Sequence, residues 1–531
     1  MIMDIVVLIL EIILVVLAIP TVTMEYLRDL QMFQQNSYRI KRYRKWLSTS
    51  GDTTTFNRLL ILVGFFAMLY LRTDWCLAVI PMAVIIGDRL YRLGTAKYKK
   101  PLVLTKRAWR IISVMTVLEA GVVALFGNLC DDVLLGLTLG FVAAYLLSHI
   151  VLVVSALMLM PVERMINRRY YNDAARILRS MPSLKIVGIT GSYGKTSTKH
   201  YLHRILSEKF DTLMTPGSFN TTLGVIRTVR EHLKPYNEVF IVEMGAKQPG
   251  DIKEICDLVH PAMGIITAVG EQHLESFKSI ENVQRTKFEL ADALPYDGLA
   301  VVNNDFEYAA NRPVDNVRAV HYGVSNHEGA DVTVTDIEYD ATGTTFTVVD
   351  AALGNLTLHT RLVGECNVSN LVAAVIVARA MGVEDDKIRY AVEKIEQVEH
   401  RLNVKRTPGG ITIIDDAFNS NPTGSRMAMD VLASMKGGKR IVITPGMIEL
   451  GQRQAELNTQ LGRHIASSCD VAILVGEYNR EALLAGIVET RGGDSDIHAV
   501  DTFADAQRLL ATIAAPGDTV LYENDLPDTF K

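Results

Sequence analysis

The sequence predicts an α-helical membrane domain followed by two α/β domains. Three observations carry that expectation. The first 160 residues hold long runs of Ile, Leu and Val, whereas the remainder alternates short apolar strands with helical segments. An apolar stretch, Leu184–Thr190, runs into a glycine-bearing turn that ends in Lys-Thr. A second alternation of strands and helices begins near Glu399, after a weak linker signal at Val398. At 531 residues the chain is long enough for roughly three domains.

The N-terminal elements come first. Ile5 to Ile19 is nearly all Ile, Leu and Val, interrupted by Glu11, and further apolar blocks run Leu59–Leu71, Trp75–Gly87, Ile111–Gly127 and Val133–Met160. A spanning helix needs about 20 residues. The first, fourth and fifth blocks meet this with modest flanks. The second and third, separated by Arg72-Thr73-Asp74, are two spans or one re-entrant hairpin. Basic residues set the orientation. Arg39, Lys41, Arg42, Arg44 and Lys45 follow the first block, Arg89, Arg92, Lys97, Lys99, Lys100, Lys106 and Arg107 the third, and Arg164, Arg168 and Arg169 the fifth. Asp131 and Asp132 link the fourth and fifth. The positive-inside rule then places the N-terminus outside and everything after Pro161 in the cytoplasm, as a multi-pass protein of the cytoplasmic membrane with lipids as partners. The N-terminus lacks the basic n-region of a cleaved signal peptide. Glu11, Glu119 and His149 lie within apolar blocks, where ionisable groups are functional candidates unless they pair with one another or sit near a helix end.

Composition narrows the rest. Lys and Arg number 54 against 59 Asp and Glu, for a net charge of −5, so nothing points to nucleic acid. The five cysteines are scattered without a C-x-x-C pair, which indicates neither a disulfide framework nor a zinc site.

The turn Gly191-Ser192-Tyr193-Gly194-Lys195-Thr196-Ser197 builds a phosphate cradle. Glycines let backbone N–H groups approach oxyanions, the following helix start adds partial positive charge, Lys195 adds a full one and Thr196 offers a hydroxyl to Mg²⁺. Ile189 stands where the longer form of this loop has its first glycine, so the motif is the shorter G-x-x-G-K-T. The segment from 182 to 398 therefore reads as a P-loop mononucleotide-binding central domain. Its strands include Val239–Glu243, Ala262–Val269 and Leu299–Asn303, with alternating Thr and Val over Asp331–Leu362 predicting antiparallel strands and a helix at Leu371–Met381. A short helix, Asn172–Arg179, lies in the linker 161–181. From 399 to 531, strands at Gly410–Asp415, Arg440–Thr444, Val471–Val475 and Thr519–Tyr522, with a helix at Ser425–Met435, predict a Rossmann-like C-terminal domain.

Further motifs follow in order: Asn220-Thr221-Thr222-Leu223-Gly224, Glu243-Met244-Gly245-Ala246, Gly270-Glu271-Gln272-His273-Leu274-Glu275-Ser276-Phe277 and Thr286-Lys287-Phe288-Glu289. Then come Gly364-Glu365-Cys366-Asn367-Val368-Ser369-Asn370, His400-Arg401-Leu402 and Asp415-Asp416-Ala417-Phe418-Asn419-Ser420-Asn421-Pro422. Over residues 182 to 520 this ordered set resembles the Mur ligase family, and within it the members that add D-alanyl-D-alanine to a UDP-linked muramoyl tripeptide. The resemblance implies an amide ligase. An ATP γ-phosphate moves to a substrate carboxylate, and an amine attacks the acyl phosphate to give an amide, ADP and phosphate. It implies ATP and Mg²⁺ as cofactors, a UDP-linked or lipid-linked muropeptide as carboxylate substrate, and an amino acid or dipeptide as amine.

Site roles follow from the same resemblance. Gly191, Gly194, Lys195, Thr196, Ser197, Asn220, Asn370, Asp416 and Asn419 are expected on the nucleotide. Thr196, Glu243, His273 and Lys287, once carbamylated, are expected on magnesium, with Lys195, Lys287 and Arg401 serving the chemistry. Several residues depart from the family pattern. Cys366 replaces a histidine, Pro445-Gly446-Met447-Ile448-Glu449-Leu450-Gly451 lacks the usual aspartate, and Leu521–Asp528 has no Lys-Gly-Ser stretch. A membrane domain stands in place of the N-terminal substrate domain. Alternatives are a membrane-tethered synthase of the poly-γ-glutamate type, separated by iterative ATP use with glutamate alone, and a non-catalytic nucleotide-binding envelope scaffold.

Overall fold

A computed structural model of the chain describes residues 2–52, 56–71, 76–95, 100–339, 343–417, 420–493 and 496–525. The linker Arg72–Asp74, Lys97, Lys99, Asn419 and the stretch 526–531 lie outside these residues, as does the side chain of Glu11. The described chain divides into two units, one ending at Asn167 and one covering Arg168–Asp525.

Every regular element among the described residues of the first unit is a helix, as its Leu-, Ile-, Val- and Ala-rich runs dictate. Its helices are α1 (Ile2–Gln35), α2 (Ile40–Ser50), α3 (Phe56–Leu71), α4 (Cys76–Thr95), α5 (Lys106–Leu129), α6 (Val133–Leu146) and α7 (Ser148–Arg179), the last continuing into the second unit. Thr105 and Asp132 cap α5 and α6 by accepting backbone N–H groups of their first turns. α1 extends beyond the first apolar block, through Pro20 to Gln35. Two expectations are corrected. The block Val133–Met160 is not one helix, since it breaks at Leu147, where Ser148 turns its hydroxyl to Arg58. The helix expected at Asn172–Arg179 is the end of α7, not a separate linker element. Two described helices, α5 and α7, are long and apolar enough to cross a membrane by length and composition. The 14-residue α6 is only about 21 Å long.

Two features hold this unit together. A Cβ on Gly136 or Gly140 would stand 2.8 or 2.7 Å from the backbone of Gly127 or Val123, so this G-x-x-x-G face lets α6 lie directly on α5. Glu25 of α1, fully buried, is held by Arg58 at 2.8 Å, Arg89 at 2.7 Å and Arg28 at 3.2 Å. His149 lies 3.0 Å from Asp29 and 3.2 Å from Asp52, so it pairs with carboxylates at the start of α7 and does not stand alone in an apolar span. Glu119 lines an apolar cavity of about 570 Å³ between α1, α5 and α6.

In the second unit the period-2 and near-continuous apolar strands form two sheets. The first holds β1 (Lys185–Thr190), β2 (Thr212–Met214), β3 (Val239–Glu243), β4 (Met263–Ile266), β5 (Leu299–Asn303), β6 (Arg318–Gly323), β7 (Val332–Tyr339), β8 (Thr344–Asp350) and β9 (Leu356–Thr360), in the order β2-β3-β1-β4-β5-β6-β7-β8-β9. It is parallel from β2 to β7. The strands β7, β8 and β9 pair antiparallel, as the Thr/Val alternation predicts. Apolar clusters cover both of its faces, one built on the helix Glu365–Ala380 and one on the 225–294 helices. The second sheet joins β10 (Asn403–Arg406), β11 (Thr412–Asp416), β12 (Arg440–Thr444), β13 (Val471–Val475), β14 (Ile497–Val500) and β15 (Thr519–Glu523) in the order β10-β11-β15-β12-β13-β14. Only the β10–β11 pair is antiparallel. Ligand sites in such sheets form at the carboxyl ends of the strands. The carboxyl ends of β1, β3, β4 and β11 carry the residues of interest.

Candidate active site

The buried strand β1 delivers the chain into the turn 191–194, and helix α8 (Lys195–Leu206) leaves it. Two glycines make this turn feasible. Gly191 has φ +151°, and a Cβ there would lie 2.1 Å from Thr267 Oγ1. Gly194 has φ +79°, and its Cβ would lie 2.3 Å from Asn370 Oδ1. Ser192 Oγ donates to Gly270 O at 2.9 Å and accepts from Gly270 N at 3.0 Å, tying the turn to the end of β4. Lys195 folds back over the turn and donates to Gly191 O at 2.7 Å and Ser192 O at 3.2 Å. Burial pulls its ammonium down to about 8, against the opposing charge of Glu243. Thr196 is half-buried at the helix start, and Ser197 beside it is buried. The turn thus joins the carboxyl end of β1 to the N-terminus of α8.

Glu243 ends β3, which pairs in parallel with β1 so that Ile189 and Glu243 are register partners. Its carboxylate is 1% exposed and has two donors: Asn220 Nδ2 to Oε1 and Lys199 Nζ to Oε2, each at 3.0 Å. Gly245 N donates to Asn220 O at 2.7 Å, which fixes the Asn220 loop against the strand end. Despite burial, the lysines Lys199 and Lys195 and the Asn220 donor hold the Glu243 carboxyl below the usual range.

Lys287 lies on α12, named here after α9 (Thr222–Glu231), α10 (Asp251–Val259) and α11 (Leu274–Phe277); α12 itself spans Ile280–Asp292. It is 1% exposed, and among the described residues its Nζ has no hydrogen-bond or ion-pair partner. Burial and the nearby Lys195 push its pKa well below the ordinary lysine value. His273 caps α11 in the left-handed region, φ +53°, with Nδ1 in hydrogen-bond contact with Glu449 Oε2 of the C-terminal domain. Burial lowers the His273 pKa, with Glu449 opposing and Lys247 and Lys287 reinforcing. Lys195 thus acts electrically on both Glu243 and Lys287, and Lys287 on His273.

The C-terminal domain completes the edge. The charge of Arg401 reaches Asp416, Glu243, Lys195 and Lys199. Asp416, at the end of β11, accepts from Leu402 N at 3.2 Å, and burial lifts its carboxyl to about 7 with Arg401 opposing. Asn370 accepts from Thr198 Oγ1 at 3.1 Å, beside the phosphate turn. The thiol that replaces a histidine, Cys366, is half-buried, and desolvation pushes it up to about 12, with Asp416 adding to the effect. Asn421 caps the helix Pro422–Ser434. Of the expected residues, Asn419 alone falls outside the described chain.

Sequence reasoning missed three groups. Lys199 pairs with Glu243, and the signal was its position one helical turn after Lys195. Glu449 was quoted within a motif but given no role. Glu523 is buried at the end of β15, where Ser425 and Thr444 donate to it at 2.7 and 2.5 Å and Ser420 also makes contact.

Comparison with known proteins agrees with this geometry. Residues 189–378 match the Mur ligase middle domain and residues 400–522 the Mur ligase glutamate ligase domain. The UDP-N-acetylmuramoyl-tripeptide--D-alanyl-D-alanine ligase of Mycobacterium tuberculosis (strain CDC 1551 / Oshkosh) is 31% identical over 363 residues, covering 64% of this chain and 70% of that protein. A crystal structure of MurF from Acinetobacter baumannii superposes with a TM-score of 0.60 at 28% identity, covering 67% of this chain and 76% of that one. MurF ligase from Thermotoga maritima in complex with ADP gives 0.59 at 26% identity, covering 67% and 80%. With both Mur ligase domains matched over the two α/β sheets and a ligase relative 31% identical, the chain belongs to the Mur ligase family of ATP-dependent peptide ligases.

Proposed function

We propose that this ligase works at the cytoplasmic membrane, joining an amine to the carboxylate of a peptidoglycan precursor through an acyl phosphate. What supports the site assignment is Lys287: a buried amine, without a hydrogen-bond or ion-pair partner among the described residues, that burial and Lys195 hold well below the ordinary lysine pKa and whose charge reaches His273. A lowered pKa makes the amine easier to deprotonate and fits carbamylation by CO₂, which converts a cation into an anionic metal ligand. The residues present fit a divalent cation. Thr196, Glu243, His273 and carbamylated Lys287 would hold it, and a bound cation supplies charge neutralisation at the transferring phosphoryl group.

The remaining roles belong to the chain. The turn Gly191–Gly194 and the start of α8 take the phosphates, Lys195 swings from its own loop carbonyls onto them, and Asn220, Asn370, Asp416 and Asn419 hold and shape the nucleotide site. Arg401 approaches the phosphates from the domain junction. The substrate carboxylate oxygen bonds to the γ-phosphorus as ADP leaves. The amine nitrogen then bonds to the acyl carbon, phosphate departs and the nitrogen loses its proton. Positioning carries most of such a transfer.

Supporting the membrane reading are the wide exposure of apolar side chains on the N-terminal helices, including Val16, Val63, Val117 and Leu125, and the G-x-x-x-G contact of α6 with α5. On this reading residues 1–160 form a multi-span anchor with the N-terminus outside. Residues 161–181 connect it to a central ATP-binding domain, 182–398, and a C-terminal domain, 399–531, in the cytoplasm. The carboxylate substrate is then a lipid-linked or UDP-linked muropeptide near the inner face, and the amine an amino acid or dipeptide. Mass spectrometry of envelope precursors after depletion tests this: one carboxylate species should accumulate, and an unchanged precursor pool overturns the assignment.

A further inference from the structure

Glu449 stands at an unusual junction. It belongs to the loop 445–453 of the C-terminal domain, yet its side chain reaches His273 of the central domain. The contact is built from both sides. Glu275 N donates to Glu449 O at 3.1 Å, Arg453 makes an ion pair with Glu271, and Gly451 approaches so closely that a Cβ there would lie 3.3 Å from the Glu275 backbone. Both partners occupy the left-handed region, Glu449 at φ +63° and His273 at φ +53°. Non-glycine residues persist there when surrounding contacts impose the conformation, and such positions cluster at functional sites. Lys247 Nζ lies 3.8 Å from the other Glu449 oxygen.

We propose that Glu449 is a ligand of the divalent cation together with His273, so that the metal bridges the central and C-terminal domains. The inference rests on the reading of His273 as a metal ligand. The geometry favours it because two ligand atoms at right angles on a cation with bonds of about 2.1 Å lie about 3 Å apart. A hydrogen-bonded nitrogen–oxygen pair therefore becomes a pair of ligands when the two atoms separate to that spacing, turn toward a common point and exchange their shared proton for a cation. The carboxylate suits Mg²⁺ and Mn²⁺ alike, and Mn²⁺, higher than Mg²⁺ in its tolerance of a nitrogen donor, serves as the probe. The consequence is coupling: any cation held at His273 gains affinity only when the C-terminal domain is closed, and closure is favoured when the cation is present.

The test uses the full chain without nucleotide, with free Mn²⁺ followed by electron paramagnetic resonance during titration. Glu449→Gln, which keeps shape and hydrogen bonding, should weaken Mn²⁺ binding at least tenfold, and His273→Asn should weaken it at least as much. Arg453→Ala breaks the adjacent interdomain ion pair and leaves both ligand atoms in place, so its affinity should stay within threefold of wild type. Unchanged binding in Glu449→Gln alongside a loss in His273→Asn overturns the inference and leaves the metal role of His273 standing. Equal losses in Glu449→Gln and Arg453→Ala also overturn it, because packing then explains the effect. Unchanged binding in His273→Asn removes the underlying reading itself.

Discussion

Replacing Glu243 by Gln should cost stability as well as activity, by an amount the structure allows to be worked out. Lys199, with no side-chain exposure, has its ammonium 3.0 Å from Glu243 Oε2 and a second acceptor in Gly217 O. Stripping the charge from one member of a buried pair costs about 3–5 kcal/mol, because the other charge is left without compensation. In a domain of this size about 1 kcal/mol moves the thermal midpoint by roughly 2–4 °C. The expected drop for Glu243→Gln, and for Lys199→Met, is therefore on the order of 6–20 °C at pH 7. The double variant leaves no charge stranded and should recover most of that loss, within about 1 kcal/mol of wild type. Phosphate release should remain abolished in Glu243→Gln and in the double variant. The pH dependence has a definite sign. Without Glu243, the folded-state pKa of Lys199, already lowered by burial, falls further below its unfolded value. The unfolded chain then binds more protons between the two, so stability of Glu243→Gln rises with pH through that window. Differential scanning fluorimetry of the four proteins from pH 6.5 to 9.5 reads all of this. Additive losses in the double variant would refute the reasoning, since they would mean the two charges are not coupled.

Other expectations follow from the same site. Gly194→Ala places a Cβ 2.3 Å from Asn370 Oδ1 at φ +79°, adding about 1–2 kcal/mol of backbone strain to the clash; calorimetry should show ADP affinity down at least tenfold. Lys287→Arg, which keeps a cation that cannot be carbamylated, should abolish phosphate release, and CO₂-depleted buffer should slow the wild-type enzyme; full turnover in Lys287→Arg sinks the carbamate. Asp416 has its carboxyl raised from 3.8 to about 7, so between those values the folded chain binds more protons and its contribution lowers stability as pH rises. Asp416→Asn should therefore have the higher thermal midpoint at pH 8, together with weaker ADP binding. Gly140→Val drives a side chain into the Val123 backbone at the α5–α6 crossing and should lower the thermal midpoint of the detergent-solubilised chain without changing the central domain's ADP affinity.

Much of the second unit was legible in the chain because its signals are local. A buried strand next to a glycine turn and Lys-Thr reads correctly at β1 and α8, where backbone chemistry alone forces glycine at 191 and 194. Strands Arg440–Thr444 and Val471–Val475 have the bounds their apolar runs predict. The helical unit was read less well. Apolar length says where helices are favourable, but not that the chain breaks at Leu147, beside the Arg58–Ser148 contact, or that α1 continues to Gln35 past Glu25, which arginines from α3 and α4 reach.

The order of motifs determined, by itself, that this chain is a phosphate-binding α/β ligase, because each motif is a short stretch whose chemistry lies in its own backbone and side chains. Tertiary structure decided what those motifs touch. Lys199 against Glu243 spans 44 residues and Glu449 against His273 spans 176, and no local periodicity encodes either contact. Which charges are buried together, and so which pKa values move and which atoms can share a cation, is a property of the packed sheet edges and not of the sequence intervals between them.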